Sequence, residues 1–447
     1  MPEPAPLVVS PYTLLFDLAG GPGKVAFNAR TGAIVALNER VWRCLDLRRP
    51  DWLLPAEKRR FVELGLVGCD PPAELDWLRR RYAQLTAPAS QTRFIVHTTN
   101  ACNLACGYCY ERHQDLDKRR MSLDTAEVVA RFIRRQMEAP ERRRAVLKFY
   151  GGEPLLARDA LRHVARAAHE GCAAIGKELF VWVKTNGTLI DAGTFAPPCP
   201  KPTVVEITLD GPRARHDRTR TNARRAPTWE RIVRSLHLLA RQEIPVILRV
   251  NAHGAADLEQ ALLDLERAGV RELPQVGFYE CQVDEHFYEH TQGRDCDGLM
   301  HKLQTVAQVE EMRAFIRASA WVSRWQEFPV FSTTYGVCDF GRPGGGFIID
   351  ARADVYLCTF QAGNPDFRVA HVEADGSAVF GDNYREIMAR SPFDDERCAA
   401  CAKLPLCWGG CFAKARVQTG SFQGRFCGNT ETMLPHLMRA ALRERRP

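Results

Sequence analysis

The sequence predicts an α/β protein. Its centre is a partial (β/α)6 barrel, preceded by a small winged-helix-like unit and followed by a loop-rich, cysteine-stapled domain. Three observations predict this. Short apolar runs alternate with amphipathic segments from Arg93 onward. A hairpin-then-helices pattern precedes them, and seven cysteines with dense glycine fill the last 110 residues. The boundaries fall at 1–90, 91–325 and 326–447.

In the first segment, Leu7 to Ser10, Lys24 to Asn28 and about Ala33 to Ala36 read as strands around Gly20-Gly21-Pro22-Gly23. Two amphipathic helices follow, at Asn38 to Leu47 and Pro55 to Leu64. An N-terminal extension packed on the main domain is the alternative to a separate module. The second segment holds six runs rich in Val, Ile, Phe and Tyr: Phe94 to Thr98, Val146 to Tyr150, Phe180 to Lys184, Val204 to Leu209, Val246 to Val250 and Val276 to Tyr279. Buried parallel strands have this composition. Helical patterns lie between most of them, at Leu123 to Met137, Asp159 to Ile175, Trp229 to Gln242 and Asp257 to Ala268, with Val306 to Val322 after the last. Repeated strand–helix units argue for a parallel sheet, and six are too few for a full eight-fold barrel. In the third segment Gly341, Gly344, Gly345 and Gly346 cluster and periodic hydrophobicity is weak, as in a domain held by metal.

Composition narrows the function classes. The chain has 447 residues, 45% hydrophobic and 26% charged, with a net charge of +7. Disorder is excluded, and no apolar run reaches the roughly 18 residues of a membrane span. Met1-Pro2-Glu3-Pro4 lacks a signal-peptide pattern, so a cytoplasmic protein is expected. The run Arg142-Arg143-Arg144 reads as a solvated helix end, and no nucleic acid or membrane partner is expected. The informative number is 16 cysteines, which in a cytoplasmic chain point to metal or redox chemistry.

Cys102, Cys106 and Cys109 form C-x3-C-x2-C on the loop after the first barrel strand, the face where barrel active sites lie. Three thiolates on one short loop suit three irons of a cubane cluster and leave the fourth iron open for chemistry. The motif resembles that of the radical S-adenosylmethionine (SAM) enzymes. In that family the open iron binds SAM, and one electron cleaves it to a 5′-deoxyadenosyl radical that abstracts hydrogen from substrate. The resemblance extends to successive strand ends. Gly151-Gly152-Glu153-Pro154 is similar to the family's GGEP element, whose glycines admit the SAM amino group beside Glu153. Lys184-Thr185-Asn186-Gly187-Thr188 ends the third strand and Thr208-Leu209-Asp210-Gly211-Pro212 the fourth. His216-Asp217 and Arg220 follow, and Arg249 and Asn251 resemble an RxN element. The likeness implies cofactor contacts from Gly151, Gly152, Glu153, Pro154, Thr185, Asn186 and Tyr108, with Thr208 on the ribose and Arg220 on the SAM carboxylate.

Cys398, Cys401, Cys407 and Cys411 form C-x2-C-x5-C-x3-C, with Cys427 after them and Cys338 and Cys358 before. A zinc ribbon is one reading of such a quartet. The wording Leu404-Pro405-Leu406-Cys407-Trp408-Gly409-Gly410-Cys411 is similar to the SPASM extension of radical SAM enzymes that act on peptides and proteins. The resemblance implies an outer [4Fe–4S] cluster on Cys398, Cys401, Cys407 and Cys427 and an inner one on Cys338, Cys358 and Cys411, hence three clusters with the SAM-binding one. The inner cluster's fourth ligand is left open between none, Cys281, Cys296 and an oxygen. Ala353 replaces a family glycine, a change tolerable if φ there is negative.

Enzymes of this type that oxidise a sulfatase Ser or Cys carry an Asp directly after the second SPASM cysteine. Here Thr359 follows Cys358, which disfavours sulfatase maturation. The first segment, with Val35 to Glu39, Trp42 and Glu63 to Val67, is weakly similar to leader-peptide recognition modules, which add a peptide as a strand to a small sheet. The resulting expectation is a peptide maturase that crosslinks or dehydrogenates a leader-bearing precursor peptide. It would take electrons from an external reductant such as flavodoxin or ferredoxin. A formylglycine-forming or cofactor-precursor enzyme is the alternative, and a non-catalytic metal module the alternative of another class. Asp339, Glu280 and Asp284 are the candidate general bases.

Overall fold

The structure, a computed structural model, describes residues 6–18, 23–68, 70–109, 111, 116–281, 299–327, 337–427, 434 and 438. Asp284, Cys296 and Cys69 lie outside the described residues. The chain forms two compact units. One comprises residues 1–87, 329–341 and 386–447, and the other residues 88–328 and 342–385. This grouping differs from the three consecutive segments read from the sequence, because the third segment is divided between the units.

The first unit pairs a short strand β1 (Val8–Val9) with β5 (Val67–Gly68) and forms an antiparallel sheet of β2 (Thr13–Leu18), β3 (Gly23–Asn28) and β4 (Ile34–Leu37), with β4 at one edge. Helix α1 (Glu39–Asp46) starts at Asn38, whose side chain accepts from the Val41 amide at 2.9 Å. Helices α2 (Pro55–Glu63) and α3 (Pro71–Thr86) follow. A three-stranded sheet of short strands is marginal alone. Here Val25, Phe27 and Ile34 share one buried core with Leu404, Leu406 and Trp408 from the C-terminal cysteine region, and Ala26 closes a second core with Val41, Leu45 and Phe61. Residues 1–87 therefore fold together with the cysteine segment. Sequence reading missed β2 and α3, although Thr13 to Leu18 is a plain apolar run.

The second unit is built on the expected parallel strands: β6 (Gln91–His97), β7 (Arg144–Tyr150), β8 (Glu178–Thr185), β9 (Val204–Asp210), β10 (Val246–Asn251) and β11 (Val276–Cys281). They pair in sequence order, all parallel, as a partial barrel does. Helix α4 (Leu123–Met137), N-capped by Ser122, and α5 (Arg158–Ala174), α7 (Trp229–Arg241) and α8 (Ala255–Arg267) are the crossovers, with a short α6 (Arg213–Thr219) after β9. A further helix, α9 (Leu299–Ala318), follows β11. The sequence also failed to show that β12 (Gly346–Ile349) continues the sheet, parallel to β6, before an antiparallel return through β13 (Asp354–Tyr356) and β14 (Ala370–His371). The four residues of β12 are all buried, and Phe347 stacks on Phe94 at 5.9 Å between ring centroids.

Side chains alternate along each strand. Phe94, Val96, Leu147, Phe149, Val183, Val205, Ile207, Leu248 and Val250 are fully buried against the crossover layer. The opposite set, which includes Lys148, Lys184, Glu206, Arg249 and Tyr279, lines a polar lumen. Among the described residues no helix is long and apolar enough to cross a membrane.

The β12–β13 turn corrects one expectation. Ala353 has φ +66°, the left-handed region, and is 3% exposed. The Asp350 carboxylate fixes this turn by accepting from the Arg352 and Asp354 amides at 2.8 and 3.0 Å. A Cβ in this region is strained by about 1–2 kcal/mol. Ala353→Gly is therefore expected to stabilise the protein by about 1 kcal/mol after glycine's entropic cost, readable as a raised denaturation midpoint.

Candidate active site

The strand ends of the second unit converge on the cysteine loop at residues 102–109. Gly151 has φ +101°, and a Cβ there would stand 2.7 Å from the Thr99 carbonyl oxygen. At Gly152 a Cβ would stand 2.1 Å from the Ala101 carbonyl oxygen, inside any tolerable contact. The Gly152 and Glu153 amides donate to the Thr99 and Ala101 carbonyls at 3.1 and 2.8 Å. The glycines of this element thus let the chain close onto the start of the cysteine loop, a role the sequence reading had not assigned to them.

Glu153 is fully buried. Its Oε1 accepts from Thr185 Oγ1 at 2.7 Å and the Leu155 amide at 3.0 Å, and its Oε2 from the Asn186 amide at 2.7 Å. Burial pushes its pKa up against these hydrogen bonds. Asn186 carries the connection onward: Nδ2 donates to Asn103 Oδ1 at 2.8 Å and lies 3.8 Å from Cys102 Sγ. Thr185 and Asn186 are therefore hydrogen-bonding posts that fix the loop to Glu153.

A second joint holds the other end of the loop. Tyr108 donates to Asp210 Oδ1 at 2.9 Å, Arg220 Nη1 donates to the Tyr108 hydroxyl at 2.5 Å, and Asn251 Nδ2 donates to Asp210 Oδ1 at 2.7 Å. Burial pushes the Asp210 carboxyl up, but Arg220 and His216 with two side-chain hydrogen bonds outweigh it and hold its pKa below the usual value. His216 accepts from the Asp210 amide at 3.2 Å through Nδ1 and pairs with Thr228 Oγ1 at 3.0 Å. Burial and Arg220 push it down to about 4, so it is neutral. Asp217 caps α7, accepting from the Thr228 and Trp229 amides at 2.9 Å each. Of the His216-Asp217-Arg220 stretch, Arg220 is the one whose side chain reaches the cysteine loop among the described residues.

These residues fit the cofactor that the motif implies. Glu153 is a buried carboxylate with no ion-pair partner among the described residues, suited to an ammonium group. Arg220 Nε is buried without a hydrogen-bond partner, suited to a carboxylate. Cys106 is buried, and Cys102 is pushed up to about 12 by burial, with Glu153, Cys106 and Cys109 adding to it. Three thiols on one loop, with Cys106 buried and Cys102 and Cys109 more open, suit cationic iron. Among the described residues no three His, Cys, Asp or Glu side chains converge on one metal ion. Ligands of a cubane each take a separate iron and need not converge.

In the first unit, burial pushes Cys398 up to about 11, with Asp395, Cys407 and Cys427 adding to it, and Cys407 is raised by burial with Cys401 and Cys427 adding. Cys398 and Cys407 thus feel each other's environment and that of Cys427, and Cys407 that of Cys401. Trp408, Gly409 and Gly410 all have positive φ, and a Cβ on Gly410 would meet the Phe426 carbonyl oxygen at 1.8 Å. Arg390 ties this turn by donating to the Gly410 and Gly424 carbonyls at 2.8 and 3.1 Å. Cys338 and Cys411 lie in the first unit and Cys358 in the second. Asp339 opens a 3-10 turn, Asp339–Gly341, directly after Cys338.

Glu280 is corrected. It alternates outward from Tyr279 and Cys281, pairs with Arg313 Nε at 2.7 Å, and accepts from Trp325 Nε1 at 2.6 Å. With 2% side-chain exposure it is a structural anion behind the barrel wall and cannot serve as a base in the lumen. Sequence reading gave no role to Lys148, Glu206 and Tyr279, and quoted Lys184 only as the start of a strand-end element. Their signal was polar residues at alternate positions within apolar strands.

Residues 96–263 match the family described as the Radical SAM superfamily. The chain is similar to the "Serine-type anaerobic sulfatase-maturating enzyme" of Klebsiella pneumoniae, 26% identical over 342 residues, covering 73% of this chain and 82% of the relative. It is also similar to the "Cysteine-type anaerobic sulfatase-maturating enzyme" of Clostridium novyi (strain NT), at 21% identity, covering 72% and 88%. Among solved structures, native anSMEcpe with bound AdoMet superposes with a TM-score of 0.55 at 16% identity, covering 79% of this chain and 98% of that one. Streptococcus suis SuiB bound to precursor peptide SuiA gives 0.52 at 14% identity, covering 94% and 99%.

Gly152→Ala is expected to displace the cysteine loop from the strand ends. Reductive SAM cleavage should then fall about a hundredfold, as angstrom-scale misplacement does. The check is 5′-deoxyadenosine formed anaerobically per chain, with a thermal melt to report folding.

Proposed function

Because this chain is an enzyme built on a radical SAM domain, we propose that it oxidises a side chain within a peptide or protein substrate. The observation that carries the reading is the cysteine loop pinned between Glu153 and the Tyr108–Asp210–Arg220 joint. Cys102, Cys106 and Cys109 would hold the SAM-binding cluster, with Glu153 and Arg220 facing the two ends of the methionyl group and Thr208 the ribose. Bound there, the pair supplies a 5′-deoxyadenosyl radical that takes a hydrogen atom from the substrate. Gly151, Gly152, Pro154, Thr185 and Asn186 would keep that geometry fixed. Cys398, Cys401, Cys407 and Cys427 would hold an outer auxiliary cluster, and auxiliary iron–sulfur chemistry would take the second electron. An external reductant such as flavodoxin or ferredoxin would start the cycle.

The substrate type favoured by the sequence relatives is that of the sulfatase-maturating enzymes, which cover 72–73% of this chain. On this reading a Ser side chain would lose two hydrogens to become an aldehyde, whereas a Cys side chain would become a thioaldehyde that water converts to the aldehyde with release of hydrogen sulfide. Thr359 stands where such enzymes carry an acid, so Asp339, beside Cys338, would take the proton instead.

A second reading, a leader-bearing precursor peptide, is favoured by the first unit. Among the described residues strand β4 is an unpaired sheet edge, and a groove of ≈ 580 Å³ runs along residues 31–36 beside Arg60, Glu63 and Leu64. The Asn28 amide donates to the Ala33 carbonyl at 2.9 Å, so alternation turns the Ile34 and Ala36 amides to the open side. An extended leader would add there as a strand, with side chains in the groove.

Coexpression with a Ser- or Cys-containing sulfatase peptide, and separately with a short peptide encoded beside the gene, followed by mass spectrometry, tests both. A hydrazide-reactive carbonyl on the sulfatase peptide supports the first reading. Loss of two hydrogens, with a segment resisting fragmentation, supports a crosslinked precursor. Two unchanged peptides beside intact SAM cleavage would reject both substrates. On the second reading Ala36→Pro removes an outward amide while sparing the β3 pairing. Peptide modification should fall about tenfold and SAM cleavage without peptide should persist.

A further inference from the structure

The lumen of the second unit holds three cations around one carboxylate. Lys148 Nζ lies 3.1 Å from Glu206 Oε2 and Lys184 Nζ 3.0 Å from Glu206 Oε1. The Tyr279 hydroxyl donates to Glu206 Oε1 at 3.1 Å. Arg249 donates to Asn251 Oδ1 and Cys281 Sγ at 3.0 Å each, and no carboxylate among the described residues pairs with it. Glu206 is thus fully engaged, and among the described residues these three cations exceed it by two positive charges.

The burial of these groups is uneven. The Glu206 side chain is 3% exposed, whereas those of Lys148 and Lys184 are 26% and 18% exposed. The ammonium groups rest on aromatic faces, Lys148 over Trp182 at 4.4 Å and Lys184 over Tyr150 at 5.0 Å. The anion is sealed in the wall and the cations open on the lumen. Burial pushes Lys184 down to about 8; Glu206 opposes this, while Arg249 and Lys148 add to it. Clustered like charges in a low-dielectric cavity are costly unless an anion joins them.

The cations also sit beside the reaction centre without being spent on it. Arg249 bonds Asn251, Asn251 bonds Asp210, and Asp210 bonds Tyr108 of the cysteine loop. Arg220, with its unpaired buried Nε, is the cation on that joint, so Lys148, Lys184 and Arg249 are left for another anion. An unmodified peptide offers one kind, a carboxylate, from an Asp or Glu side chain or from its C-terminus. A planar carboxylate suits the fork of Arg249 and the lysine point charges.

We propose that Lys148, Lys184 and Arg249 form a seat for a substrate carboxylate, fixing the peptide so that a neighbouring residue meets the radical. This rests on the peptide-substrate reading above. The seat is a positioning and specificity device and takes no part in the hydrogen transfer.

The test is protection of Lys184 from a lysine-acylating reagent in the anaerobically purified full chain, mapped by peptide mass spectrometry. Three probes are compared: N-acetylglutamate amide, N-acetylalanine and the neutral N-acetylglutamine amide. The seat predicts that one or both carboxylates slow Lys184 acylation and that the neutral amide does not. The stronger protector identifies a side-chain or a C-terminal source. Arg249→Gln and Lys148→Gln should each weaken protection about tenfold, the loss of one charge-assisted hydrogen bond. Thermal melts report their folding, and either variant alone suffices. Equal rates with all three probes, or protection unchanged in both variants, overturns the seat. Protection without any peptide modification in the coexpression experiment would keep the anion seat and reject the peptide reading; modification without protection would reject the seat alone.

Discussion

The cysteine loop depends on one buried carboxylate. Three thiols on eight residues cannot hold their own backbone in place, because among the described residues the loop's β pairing is a single bridge, Leu104 to Asn222. Glu153 supplies the fixed point. Its two oxygens take up the Thr185 hydroxyl and the Leu155 and Asn186 amides, which joins the end of β7 to the end of β8. Asn186 then reaches Asn103 in the loop itself. A carboxylate enclosed at this depth is costly unless fully hydrogen-bonded. The close backbone approach at Gly151 and Gly152 is what puts it there, and any side chain at Gly152 would collide with Ala101. The glycines and the acid are one device, and neither works without the other.

The barrel applies strand alternation to two opposite purposes. One set of positions is apolar and packs the crossover helices; the other set is polar and faces inward. Glu206 and Glu280 show the difference. Both are buried acids on parallel strands of one sheet, β9 and β11, yet Glu206 balances lysines in the lumen while Glu280 binds Arg313 and Trp325 outside it. A one-residue shift in parity decides which acid can influence a substrate.

That parity explains what the sequence made legible. The six parallel strands and their helices were visible because each is an apolar run of barrel-strand length. The cysteine loop and strand-end elements were visible because their spacing is tight. Glu280 was misassigned because its place near a strand end was read without its parity relative to Tyr279 and Cys281. The close backbone approach at Gly151 and Gly152 was not legible because its partner, the Ala101 carbonyl, is distant in sequence. β12 was hidden by its length of four residues and by the glycines before it. Ala353 was expected at negative φ, and only the Asp350 turn shows why the backbone there is left-handed. The joint core of residues 1–87 with Leu404, Leu406 and Trp408 is a long-range pairing that no local pattern encodes.

Substrate choice then separates into two physical problems. A radical reaction needs one carbon held within van der Waals reach of the hydrogen acceptor, whereas a peptide is long and conformationally free. Backbone pairing along an open strand edge such as β4 gives affinity with little dependence on side chains. A charged seat in the lumen gives register, because only a carboxylate at a set distance from the reacting residue satisfies Lys148, Lys184 and Arg249 together. A sulfatase-type substrate needs register more than edge pairing, since its reactive residue is fixed by local sequence. A leader-bearing precursor needs both. The lumen charge therefore belongs to either reading, and the edge strand discriminates between them.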